Sequence, residues 1–406
     1  MAHFWQGLRS GEWLRRPRLR GYSLILLALY IVAIAAWIGL SDGLIDRNGK
    51  PIGTDFSNVY AAGHLAWQGH AADAYDPPLQ HAAEKSVFGG RDVPFFGWHY
   101  PPFFLGIAFL VAALPYAWGL ALWLAASFAA YLATLRAILP RPETWLVATA
   151  FPAVFVNIGH GQNGFLTTAL LGGALHQLTR RPWLAGVLIG LLAYKPQFGV
   201  LIPIALLAGG HWRSIGAAGL TVLGLVALSY LTLGSSVWQA FAASTTFTQT
   251  VVLEAGGTGW EKIQSIFSAV RMWGGSVPLA YAAQATLATA LAITLAWLWR
   301  SGAAFELKAA ALAAACLLAT PYVLDYDLVV AGISIAYLAR LGLARGFRAF
   351  EITLLAAAWT VPLLSRGIAK ISGVPLGLPI LLLLYVAIMR HAWEDRKLGV
   401  PSIALA

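Results

Sequence analysis

Apolar runs separated by short polar breaks fill most of this chain. Runs near 22–41, 117–138, 143–157, 164–178, 182–194, 197–208, 214–233, 278–299, 307–320, 326–340, 349–364 and 374–390 predict about twelve membrane-spanning helices. Two stretches break the rhythm, 43–115 and 234–277, and both read as long loops on one side of the membrane. Within the first, Phe103 to Leu114 is too short to span comfortably and is expected to be an interfacial or re-entrant helix. Residues 56–67 carry apolar positions three and four apart, the pattern of an amphipathic helix lying on the membrane, with Thr54 or Asp55 placed to cap its start. The short runs 182–194 and 197–208 make either a hairpin tipped by Lys195-Pro196-Gln197 or one long helix broken at Pro196.

Composition agrees with the pattern. Hydrophobic residues make up 59% of the chain and charged residues 11%, against about 25% charged in a soluble domain. The expectation is an all-α polytopic membrane protein with one integral domain over 1–406. The net charge of +10 does not point to nucleic acid, because most of the 27 basic residues sit in short clusters between apolar runs. That is the positive-inside signature, and it places both termini in the cytoplasm and the loops 43–115 and 234–277 outside. Most of the 17 acids fall on the outer side. The run Tyr22 to Leu40 lacks a small-residue cleavage site and reads as a retained anchor. The single cysteine, Cys316, lies in an apolar run and offers neither a disulfide framework nor a thiolate metal site.

Five outer segments collect polar residues beyond what loop solubility requires. They are the loop 43–115 with Asp55 and His99, the His160–Asn163 turn with Gln162 and Asn163, the tip with Lys195, the loop 234–277 with Lys262 and Arg271, and the stretch with Tyr322 and Asp325. Charges at the edge of hydrocarbon are costly and either pair with one another or contact a polar ligand. Asp55 reads equally as a catalytic carboxylate or as a helix cap. His99 and His160 lack a third ligand at metal-binding spacing, so no metal site is expected, and interfacial hydrogen bonding is the plainer role for both. No Gly-rich phosphate loop, nucleophile elbow or His-Glu-x-x-His motif is present.

Several of these pieces occur in a telling order. Thr54-Asp55-Phe56, His99-Tyr100-Pro101-Pro102, Gly159-His160-Gly161-Gln162-Asn163, Tyr194-Lys195-Pro196, Trp260-Glu261-Lys262-Ile263-Gln264-Ser265 and Thr320-Pro321-Tyr322-Val323-Leu324-Asp325-Tyr326-Asp327 follow one another from about Asp55 to about Leu338. In this the chain resembles glycosyltransferase family 87, polytopic enzymes of the GT-C type that include polyprenyl-phosphate-mannose-dependent mannosyltransferases. The resemblance implies a GT-C-like bundle with interfacial helices in the first outer loop. It also implies a bacterial inner (plasma) membrane location, an outward-facing site, a polyprenyl-phosphate sugar donor and a glycolipid or polysaccharide acceptor. An acid in the first outer loop would act as base, and only Asp55 matches that position, without the adjacent second acid that such loops often carry.

Transfer from such a donor requires a base for the acceptor hydroxyl and cations for the departing phosphate. Asp55 is the expected base. Lys195 and Arg271, with Lys262 and His160, are the expected phosphate ligands, and His99, Gln162, Asn163, Tyr322 and Asp325 the expected sugar or acceptor ligands. No cofactor is called for. The rival class is a transporter or flippase of lipid-linked sugars, favoured by Pro196 inside an apolar run; transporters, however, put ionisable residues near the bilayer midplane.

Overall fold

A computed structural model describes residues 2–398, all helices and connecting turns, with no β-strand among them. Chain order begins with a short helix α1 (Ala2–Ser10) and the long apolar α2 (Arg16–Gly39). The first long loop then folds into α3 (Phe56–Trp67), α4 (Pro77–Val87) and α5 (Leu105–Ala112). A long α6 (Tyr116–Ile138) follows, then α7 (Glu143–Thr149) and α8 (Pro152–His160), which Pro152 separates because a proline disfavours helical geometry at the residue before it. Next come α9 (Gly164–Gln177), α10 (Pro182–Leu191), α11 (Ile202–Ala208) and α12 (Trp212–Leu233). The second long loop contains α13 (Ser235–Phe247) and α14 (Ile266–Met272). The chain closes with α15 (Val277–Arg300), α16 (Phe305–Ala319), α17 (Ala331–Arg345), α18 (Glu351–Ser372) and α19 (Gly377–Lys397).

Seven helices of the described residues are long and apolar enough to cross a membrane, not twelve: α2, α6, α12, α15, the helix Asp325–Arg345, α18 and α19. The other expected runs form helices of 7 to 15 residues. Proline and glycine interrupt them, a difference that mean hydropathy does not register.

The bundle has two rims. At one, both ends of the chain meet: the Phe350 amide donates to Arg9 O at 2.8 Å, Trp13 donates to Thr353 at 2.9 Å, and Arg348 pairs with Glu394 and Asp395. Arg20 of α2 joins this rim through Glu143 at 3.0 Å. The long helices leading away end at the other rim, where Trp273 donates to Gly373 O at 2.9 Å and Gly377 donates to Gln264 at 3.0 Å.

Residues 182–208 form a hairpin. Ser214, just past α11, donates to Pro182 O at 2.8 Å, so the chain has returned to the start of α10 and leaves Lys195-Pro196 at the far tip. Helices α10 and α12 run side by side with glycines at the contact. A Cβ on Gly186 would stand 2.4 Å from Ser214 O, and one on Gly190 2.5 Å from Thr221 Cβ. Small residues four apart let two backbones approach this closely.

The core centres on α16. Its sequence Ala-Ala-Ala-Leu-Ala-Ala-Ala-Cys-Leu-Leu-Ala presents little but methyl groups and short branches, and nearly every residue of Phe305–Ala319 is buried. It packs on α15, α17 and α19. By contrast α2 and α12 bury little of their surface and present leucine, isoleucine and valine outward, the distribution of helices facing lipid. The helix expected over 56–67 forms with those limits, yet it is mostly buried instead of lying with one face open. A Cβ on Gly63 would meet Ala108 O of α5 at 2.1 Å, which shows how tightly α5 covers it.

Candidate functional site

Asp55 occupies the N-cap position of α3, but its carboxylate makes no capping hydrogen bond and its backbone is already helical. It turns to a different segment: Gln162 Nε2 donates to Asp55 Oδ2 at 2.9 Å. His160 Nδ1 lies 3.8 Å from the same oxygen and 2.9 Å from Thr54 Oγ1. The two side chains are about one-fifth exposed, 19% and 20%, so this carboxylate is oriented by the protein and still reachable from solvent.

The turn that brings Gln162 there depends on Gly161. It ends α8 in the left-handed region at φ +61, and a Cβ would collide with Phe56 Cβ at 2.7 Å and Gly53 O at 2.9 Å. Trp123 of α6 donates to Gly161 O at 3.0 Å, and Asn157 clamps the turn from inside by donating to Gln162 O and accepting from the Gly164 amide, both at 2.9 Å.

Behind Asp55 the network continues inward. The Tyr100 hydroxyl donates to Gln162 Oε1 at 3.3 Å and accepts from Asn163 Nδ2 at 2.7 Å. Burial pushes the Tyr100 and Tyr322 hydroxyls well above the ordinary tyrosine range, and the Asp55 charge adds to this at both; they remain neutral donors. Asn163 Oδ1 is buried with no hydrogen-bond partner among the described residues, a state that costs about 1–3 kcal/mol.

Lys195 donates to Asp327 Oδ1 at 2.6 Å, with both side chains almost fully buried. Asp327 Oδ2 accepts from the Leu324 amide at 3.1 Å, and the ammonium also lies 5.3 Å from the Tyr326 ring centroid. Arg271 is likewise engaged. Its guanidinium donates to Gly275 O at 2.7 Å and Glu254 O at 3.2 Å and stacks on Trp260 at 4.8 Å, bracing the second long loop and not the Asp55 group.

Lys262 ends the turn Trp260–Lys262. That turn is tied to the 320–325 segment by the Gln264 amide on Val323 O and Ser265 Oγ on Pro321 O, each at 2.8 Å. Burial, then the neighbouring Arg366, pull the Lys262 ammonium below its usual range, while Asp55, Asp325 and Glu261 oppose this. Asp325 is buried, accepts from the Tyr326 amide at 2.9 Å and lies 3.8 Å from Arg366. His99 donates to or accepts from Thr248 Oγ1 at 2.8 Å, at the start of a π-helical stretch, Thr248–Glu254, a form found often at functional sites. Burial lowers the His99 ring to about 4.

The structure therefore gathers Asp55, His160, Gln162, Asn163, Lys262, Tyr322 and Asp325 on one rim, and adds two residues without a local motif. Glu84 of α4 is fully buried, accepts the Phe96 amide on both oxygens at 3.2 and 3.1 Å, and is pushed up to about 9, mainly by burial and further by Asp55. Arg366 lies in α18, an apolar helix whose sequence alone does not connect it to residue 325. Among the described residues no group of three metal-ligating side chains occurs.

A helical membrane bundle with an oriented carboxylate, one-fifth exposed, at one rim defines the class. The sequence model of glycosyltransferase family 87 matches residues 98–321, more than half of the 406, and the chain belongs to that family. No curated protein and no solved structure matches it. The matched stretch includes His99, His160, Gln162, Asn163, Lys195, Lys262 and Arg271 and leaves Asp55, Asp325 and Arg366 outside.

Proposed function

We propose that this glycosyltransferase moves a hexosyl group, of which mannosyl is the family's best-known example, from a polyprenyl-phosphate sugar to a glycolipid or polysaccharide acceptor. The reaction inverts the anomeric centre at the outer rim of a bacterial plasma membrane. In it the acceptor oxygen attacks C1 of the sugar, the C1–O bond to phosphate breaks, and the hydroxyl proton passes to Asp55. The observation that carries this reading is the Asp55 carboxylate itself. It is held at 2.9 Å by Gln162, free of the capping duty its position offers, and partly open to solvent.

Lys262 and His160 stand on the departing-phosphate side. Asn163, through its unpartnered Oδ1, and Tyr322 supply hydrogen bonds to sugar hydroxyls. Lys195 and Arg271, already engaged by Asp327 and by backbone carbonyls, brace the site. Grouping of the polar set at one rim, together with termini at the opposite rim, supports cytoplasmic ends and an outward site under the positive-inside rule. On this reading α7 with α8 as one pass, and α9, α10, α11 and α16 as four more, add to the seven long helices to make twelve passes between the rims.

The test is sugar transfer from a synthetic short-chain prenyl-phosphate hexose by the wild type and Asp55→Asn. Transfer by the wild type and its loss in the variant is the expected result. Undiminished turnover in the variant would remove the base, and lipid movement without a new glycosidic bond would favour the transporter class.

A further inference from the structure

Two cations stand near each other on the site rim with no hydrogen bond to hold either one. Among the described residues neither Lys262 Nζ nor the Arg366 guanidinium makes a hydrogen bond. Arg366 has only Asp325, at 3.8 Å, and its side chain is 40% exposed. The helix carrying it packs on the turn Trp260–Lys262. The closeness of the two charges registers in the Lys262 ammonium, where Arg366 is the largest influence after burial. Like charges held together cost free energy unless an anion lies between them. The other two basic residues expected to bind phosphate here have partners already, Lys195 in Asp327 and Arg271 in two carbonyls.

We infer that Lys262 and Arg366 form a two-cation seat for the phosphate of a lipid-phosphate sugar, with Asp325 positioning Arg366 until that phosphate arrives. The inference rests on the reading of the chain as a lipid-phosphate-dependent transferase. A guanidinium presents parallel N–H donors that match two phosphate oxygens, while an ammonium acts as a point charge. The donor phosphodiester carries one negative charge. Cleavage of its C1–O bond leaves a monoester with a second charge on the former bridging oxygen, and two cations match that increase. Asp325 is buried and fixed by the Tyr326 amide, so it holds Arg366 loosely across 3.8 Å without closing a hydrogen bond.

The test compares binding of farnesyl phosphate, farnesol and inorganic phosphate to the full-length protein in lipid nanodiscs, read directly by calorimetry, for wild type, R366Q, R366K and D55N. In the wild type farnesyl phosphate is expected to bind at least tenfold tighter than farnesol. R366Q should lose about tenfold or more of that preference, R366K should recover part of it, and D55N should keep it while transferring sugar about a hundredfold or more slower. An R366Q protein with the full phosphate preference and an unchanged melting temperature overturns the seat. Should R366Q fail to fold, R366K decides, and an undiminished preference there overturns it too. Inorganic phosphate binding as tightly as farnesyl phosphate overturns the lipid assignment. Absence of sugar transfer in the wild type, with the R366Q effect on binding intact, would instead count against the transferase reading alone.

Discussion

Gln162 donates to the carboxylate of Asp55 across 2.9 Å, joining the end of the α8 turn to the start of α3. That single bond turns a potential helix cap into an oriented carboxylate. Replacing Asp55 with Asn keeps the shape and removes the basicity, so the rate of sugar transfer should fall by about 10²–10⁴-fold, the usual worth of a general base. Gln162→Leu leaves the carboxylate but frees its orientation. A fall of about 10²-fold in kcat, with KM for the donor little changed, is expected in steady-state assays. A Gln162→Leu enzyme as fast as wild type would show that the bond does not position the base.

Lys195 and Asp327 test whether a buried ion pair is structural. Removing one partner strands the other charge and should cost about 3–5 kcal/mol of stability. Lys195→Met and Asp327→Leu should each lower the melting temperature, and the double variant should recover most of the loss. If Lys195 instead held the donor phosphate, the double variant would be stable and inactive; measurable transfer by it is the outcome expected from a bracing role.

Two titratable groups shifted by desolvation give opposite pH dependences. Glu84 is pushed up to about 9 in the folded protein from an ordinary 4.5. Folded protein therefore binds more protons than unfolded between those values, and stability declines as pH rises through that window. Glu84→Gln should raise the melting temperature at pH 8 and change it little at pH 4.5. His99 is lowered to about 4 from 6.5. Here the unfolded chain takes the extra proton, so stability falls as pH drops from about 6.5 towards 4, and His99→Gln should flatten that slope in thermal melts.

Gly161→Ala puts a Cβ at φ +61 and 2.7 Å from Phe56. Backbone strain of this kind costs about 1–3 kcal/mol, and the displaced turn carries Gln162 with it. Lower melting temperature and slower transfer are expected together; a fully active, fully stable variant would refute the fit.

How much of this was legible in the sequence depends on the distance over which each feature is encoded. Apolar runs and the 56–67 helix are local, so their places could be read directly, and so could the polar turn His160–Asn163. The number of long spanning helices could not, because runs broken at Pro152 or Pro196 are as hydrophobic as unbroken ones. Partner choice was hidden as well. Nothing near Lys195 announces Asp327, 132 positions away, and Arg366 sits on an apolar helix whose nearness to Asp325 exists only after folding. Whether Asp55 caps its helix was undecidable from Thr54-Asp55-Phe56, since the residue that draws its carboxylate away is Gln162, 107 positions on.

The alanine-rich helix α16 has one more implication. Because it is buried along nearly its whole length against α15, α17 and α19, its small side chains set how closely those three helices approach, and a bulkier residue at any of its alanines would force them apart.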